Sequence, residues 1–126
     1  INPKKSLAEG NFPERQYPVS ADLFIKDGDI IKLGNEEIKV MSTPGHTEGS
    51  VCYILEKDRV IISGDTLFCM TAGRTDLWDG SDEKMIASLK SLIALDGDYK
   101  VYAGHSRETT LERERTRNWY IRRMVK

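Results

Sequence analysis

The chain has 126 residues, 39% of them hydrophobic and 31% charged, and its 19 basic and 20 acidic side chains leave a formal charge of -1. That length suits one small domain; no apolar run approaches the ~20 residues of a membrane span, and the opening INPKKSLAEG has no apolar signal segment, so a cytoplasmic location is expected. From Arg107 to Lys126 seven basic side chains stand against three acidic ones, but the signs interleave at helical spacings, which favours a solvated helix face over a nucleic-acid contact.

Residues 1–20 carry Pro3, Gly10, Pro13 and Pro18 and read as a loop-like opening. Leu23 to Lys26 is a short strand candidate. Asp29 to Leu33 and Glu36 to Met41 follow, joined at Gly34-Asn35, a pair suited to a type II′ hairpin turn. Val51 to Glu56 and Arg59 to Ser63 form a second hairpin around Lys57-Asp58, because both runs are short, apolar and rich in β-branched residues. A loop is expected from Gly64 to Gly80. Ser81 then caps a helix with Asp82 and Glu83 in its first turn and Met85, Ile86, Leu89, Leu92 and Ile93 on one face. Gly97-Asp98 end it, Tyr99 to Ala103 make a strand, and Thr109 onward reads as a closing helix. Cys52 and Cys69, 17 positions apart, suit neither a disulfide framework nor a C-x-x-C metal knuckle and are expected to pack as small apolar residues.

Three times an extended apolar run ends in glycine and then a residue able to hold a metal: Gly45-His46, Gly64-Asp65 and Gly104-His105. Glycine lets the chain turn sharply at a strand end, so the next side chain can enter a cleft beyond the sheet edge. Two imidazoles and a carboxylate brought to one point would suit zinc or non-haem iron. Each residue alone has a plainer reading, since a lone histidine is usually structural and Gly-Asp is a common turn pair. The surrounding words decide between them.

Thr43-Pro44-Gly45-His46-Thr47-Glu48-Gly49-Ser50, Gly64-Asp65-Thr66-Leu67-Phe68, Gly73-Arg74-Thr75-Asp76-Leu77, Gly104-His105 and Thr109-Thr110 occur in that order. The series resembles the metallo-β-lactamase superfamily and, within it, the small glyoxalase II-like hydrolases, over about Asp22 to Asn118. The resemblance implies an α/β fold, an αβ/βα four-layer sandwich with its site at one edge of two sheets. It implies His46, Asp65 and His105 as metal ligands, with Asp65 bridging two ions and so placed among the catalytic groups. Zinc is the expected metal, with iron or manganese as alternatives.

The same resemblance calls for an H-x-H-x-D-H motif upstream, yet no histidine precedes His46. Residues 1–126 are therefore expected to be a partial domain, the C-terminal half of the sandwich, inactive alone and either self-associating or dependent on an N-terminal half. For the complete protein the resemblance implies a metal-dependent hydrolase that attacks a thioester, a small-molecule substrate, with metal-activated hydroxide and no serine nucleophile. Arg74 is a candidate contact for an anionic substrate or a partner for Asp76, and Asp76 is a candidate to orient a ligand histidine from behind. Thr47 and Ser50 are expected to hold the His46 loop. Ala103-Gly104-His105-Ser106-Arg107 departs from the family in lacking the usual preceding proline and the Glu-Tyr of true glyoxalase II. Trp119 stands where a proline is expected after Asn118, so the last helix is expected to run on to the C-terminus, and Trp78 and Trp119 read as core or interface aromatics. Two alternatives remain: a persulfide dioxygenase with a single iron, which shares the GRTD segment, and a non-catalytic half-domain acting as a remnant or an assembly component.

Overall fold

The computed structural model describes residues 20–126. Two hairpins build most of its sheet: β1 (Ile30–Leu33) with β2 (Glu36–Ser42), and β3 (Val51–Leu55) with β4 (Val60–Gly64). The first turns at Gly34-Asn35 as the sequence indicates. Leu23 to Lys26 makes no strand: Leu23 and Phe24 are exposed, and the Lys26 amide donates instead to the Asp29 carboxylate in a tight local turn.

The expected loop after Gly64 contains a small hairpin of its own, β5 (Leu67–Phe68) with β6 (Thr71–Ala72), turned at Met70 with φ 72°. Two-residue strands are too short to show an alternating pattern in sequence. Helix α1 (Asp82–Ile93) begins where Ser81 accepts from the Lys84 amide. Then come β7 (Lys100–Ala103), β8 (Thr109–Thr110), α2 (Leu111–Arg117) and a π-helical turn, Ile121–Val125. Thr109-Thr110 thus form a strand on β7 before the helix starts.

The closing helix does not run on. Asn118 adopts extended backbone at φ -63° and ψ 118°, and its side-chain carbonyl accepts from the Tyr120 and Ile121 amides, so it caps the next turn rather than continuing the last. Trp119 and Trp78 are largely exposed, outside the core.

Strand order is β1-β2-β3-β4-β7-β8. Both hairpin ladders and the β2–β3 ladder are antiparallel, while β4–β7 is parallel and reached by a crossover through α1. Hence β2, β4 and β7 run in the same direction, and their C-terminal ends share one edge. On one face Cys52, Ile54, Ile61 and Val101 pack on Met85, Leu89 and Leu92 of α1 and on Leu111 and Ile121, all buried. Each such side chain contributes roughly 1.5–3 kcal/mol, enough to fix the strand ends that α1 spans. The opposite face, carrying Tyr53, Ile62 and Tyr102 in register, leaves Ile62 and Tyr102 exposed. Among the described residues no helix is long and apolar enough to cross a membrane.

Candidate metal centre

The shared edge is where His46, Asp65 and His105 lie. His46 follows β2, Asp65 follows β4 and His105 follows β7, and the last two strands are locked at their ends by the Gly104 amide donating to the Gly64 carbonyl at 2.7 Å. The Asp65 carboxylate stands between the two rings: His46 Nε2 is 3.3 Å from Oδ2, and His105 Nε2 is 3.4 Å from Oδ1.

Close packing leaves room for this only because of glycine. A Cβ on Gly73 would fall inside the Asp65 carbonyl oxygen, and one on Gly104 would meet Asp65 Oδ1 at 2.7 Å. Gly45, at φ 148°, lies so near α1 that a Cβ would come within 2.6 Å of the Met85 backbone. Behind the site, Thr43 Oγ1 and Thr66 Oγ1 are 2.9 Å apart, tying the end of β2 to the residue after Asp65, with Cys52 Sγ 3.5 Å from Thr43. Burial pushes the Cys52 thiol up, so it stays neutral there. The His46 loop is closed by Ser50, which bonds the Thr47 amide and hydroxyl, and by Ser88 of α1 donating to the Pro44 carbonyl at 2.7 Å. Thr47 and Ser50 therefore hold the loop as expected.

His46 Nδ1 lies 2.7 Å from the Arg74 carbonyl oxygen. A carbonyl only accepts, so Nδ1 carries a proton there, which turns Nε2 toward Asp65 as the nitrogen available to a metal. Asp76, the residue expected to orient a histidine, is engaged by the Arg74 side chain instead. It accepts two hydrogen bonds from the Arg74 guanidinium, at 2.7 and 2.8 Å, and that contact holds its carboxyl at about 2. The Arg74 backbone does the orienting, which a reading of side-chain types has no means to find.

A cleft of about 350 Å³ opens over the three residues, walled by Phe68, Thr71, Ala72, Gly73 and Arg74. Phe68 meets the His105 ring edge to face, centroids 5.9 Å apart. A larger hollow of about 420 Å³ between Ile30, Lys39 and Glu56 has no comparable convergence of donors.

In donor chemistry the trio suits a borderline divalent ion. In number it supplies one imidazole nitrogen and one carboxylate oxygen on each side of Asp65, short of the four ligands a tetrahedral ion takes. Among the described residues no set of three or more His, Cys, Asp or Glu forms a ready cage for an ion.

Residues 2–105 match the family model described as Metallo-beta-lactamase superfamily. Among curated relatives, an uncharacterized protein of Mycobacterium leprae (strain TN) is 43% identical over 112 residues, covering 87% of this chain and 50% of the relative. A hydroxyacylglutathione hydrolase of Brucella anthropi is 45% identical over 84 residues, 67% of this chain and 32% of the relative. The chain thus spans half or less of the length of these relatives. Among solved structures, the BLEG-1 B3 metallo-beta-lactamase superposes with a TM-score of 0.86 at 30% identity, over 95% of this chain and 58% of the other. ETHE1 from Myxococcus xanthus gives 0.76 at 30% identity, over 94% and 56%. TTHA1623 in a di-iron-bound form gives 0.75 at 29%, over 92% and 57%.

Proposed function

The chain belongs to the metallo-beta-lactamase superfamily, and from that premise we propose that it carries three donors of the metal centre of a hydrolase acting on a thioester, as hydroxyacylglutathione hydrolases do. One observation carries the reading: the Asp65 carboxylate offers a separate oxygen to each histidine Nε2. His46 Nε2 with Asp65 Oδ2, and His105 Nε2 with Asp65 Oδ1, are the two donor pairs, and two zinc ions, or iron or manganese in their place, are the proposed complement. A bound divalent cation makes water acidic enough to ionise near pH 7 and polarises a carbonyl.

The protein's own groups do the rest. The Arg74 carbonyl holds a proton on His46 Nδ1 and so directs Nε2 to the metal side. Phe68 and Ala72 give the cleft an apolar wall that displaces water from one side of a bound acyl group. Arg74 stands at the rim, where binding an anionic substrate requires competing with the Asp76 carboxylate. No general acid is needed for the leaving group, because a thiolate departs at a far lower proton affinity than an alkoxide. Ser63 and Ser106 play no nucleophilic part: Ser63 is buried and donates to the Leu67 carbonyl, and Ser106 is a turn residue at φ 72°.

The donors in view are two imidazoles and one carboxylate, the set that holds a single non-haem iron, and this favours persulfide dioxygenase as the second reading. The pairing of each imidazole with a different oxygen counts for the bridging arrangement instead. Metal analysis and turnover of the full gene product test the choice: about two ions with thioester hydrolysis support the first reading, and one iron with oxygen uptake overturns it. The exposed Ile62 and Tyr102 on the sheet face away from α1 lead us to infer that this 126-residue chain self-associates when alone, without a complementary half to cover them. Light scattering from a stable monomer would refute that.

A further inference from the structure

Glu114 is a charged residue on α2, LERERTR, yet it is fully buried. Its Oε1 accepts from the Thr109 hydroxyl at 2.6 Å, and its Oε2 accepts from the Asn118 amide at 2.7 Å and from the Met70 backbone amide at 2.8 Å. Asn118, also fully buried, donates onward to the Thr71 carbonyl at 3.1 Å. Thus two buried side chains of the C-terminal segment hold both sides of the β5–β6 turn. That turn carries Phe68, whose ring abuts His105, together with Thr71 and Ala72 of the cleft wall.

On the exposed side of the same turn, Arg107 Nε donates to Cys69 Sγ at 3.3 Å. His105 has no comparable tie: its side chain is 75% exposed, against 19% for His46, and Phe68 is its neighbouring ring. We propose that Glu114 is the positioning residue for His105, fixing the β5–β6 turn so that Phe68 holds the imidazole facing Asp65. The inference rests on reading His105 as a metal ligand. It adds that His105's order is imposed through α2, whereas that of His46 is imposed locally by Arg74.

Only two histidines are present, so their ring resonances in the full 126-residue chain separate the two arms without any metal. Glu114→Ala removes every acceptor of the hub and is expected to move the His105 signal toward its unfolded-chain position while the His46 signal holds. Glu114→Gln restores the wild-type His105 signal, since its amide oxygen still accepts from Met70 and Asn118 while its NH2 donates to Thr109. Zinc titration of the full gene product carrying the same substitutions is expected to show about tenfold weaker binding for Glu114→Ala and none of that loss for Glu114→Gln. An unmoved His105 signal in a folded Glu114→Ala protein, an equal shift at His46, or failure of the glutamine to restore the signal overturns the proposal. Should the alanine protein not fold, hydrogen exchange in the wild type decides: the Met70 amide must exchange more slowly than that of Cys69, and an unprotected Met70 overturns the hub. If the wild-type full gene product takes up no zinc, the ligand reading fails, and the resonance comparison still decides the positioning role.

Discussion

The His46 arm of the centre and the His105 arm are built by different means. His46 is enclosed: its ring nitrogen is bonded to a backbone carbonyl, its loop is pinned to α1 through Ser88, and glycine at 45 and 73 lets the backbones meet. His105 follows a strand end locked by one amide, but its ring stands mostly in solvent beside Phe68. One donor is thus preorganised by the backbone, and the other takes its position from side chains supplied by a distant helix. In a centre of this kind, stability should track the first arm and metal affinity should depend on both.

Replacing Gly45 or Gly73 with alanine tests the difference most severely. Neither Cβ has space against main-chain atoms, so a loss of about 3 kcal/mol is expected in denaturant unfolding. His46→Ala should follow, at about 1 kcal/mol for the lost bond to Arg74, whereas His105→Ala should leave the melting temperature within error. Equal melting shifts for the two histidines would erase the distinction between the arms. Gly104→Ala is expected to cost less, about 1 kcal/mol, because its nearest obstruction is a side-chain oxygen able to swing away and the Gly64 main chain lies further off at 3.3 Å, yet to weaken metal binding by about tenfold as Asp65 turns aside. The smallest effect belongs to Asp76→Asn. The wild-type carboxyl titrates at about 2 instead of 3.8, so its favourable pairing is present above the unfolded value and lost as pH falls through the folded one. Wild type and variant should therefore differ fully in melting above the unfolded value of 3.8 and converge as pH falls to about 2. A difference that grows as pH falls to that point would show that the Arg74 contact is not its source.

The parts of this centre that could be read from the residues are those where one amino acid has one job. Glycine followed by histidine or aspartate at a strand end, together with the motif words around each, pointed to the convergence of His46, Asp65 and His105, and a regular 3.6-residue apolar repeat pointed to α1. What escaped detection depends on the backbone or on a reversal of pattern. The orienting group for His46 is a carbonyl, identical in every residue, so the sequence pointed to Asp76 instead. The β5–β6 hairpin is too short for periodicity, and Glu114 lies among exposed charges that give no sign of its burial. Arg115 likewise looked like part of a solvated basic face, but it donates to the Ile93 and Gly97 carbonyls and docks α2 on the end of α1. Asn118 stopped a helix expected to continue because its backbone turns extended and its side-chain carbonyl caps the Tyr120 and Ile121 amides.

The parallel ladder between β4 and β7 sets an order in time. His46 and Asp65 lie on a run of consecutive antiparallel strands that can zip together through short turns, but His105 reaches them only after α1 has formed and carried β7 across to lie beside β4. Contacts separated this far along a chain form late, because the loop must close before anything rewards it. Folding is therefore expected to bring His46 and Asp65 together before His105 arrives. A metal present in that interval would meet an incomplete and exchangeable site, so metal added during refolding should be retained no better than metal added afterwards.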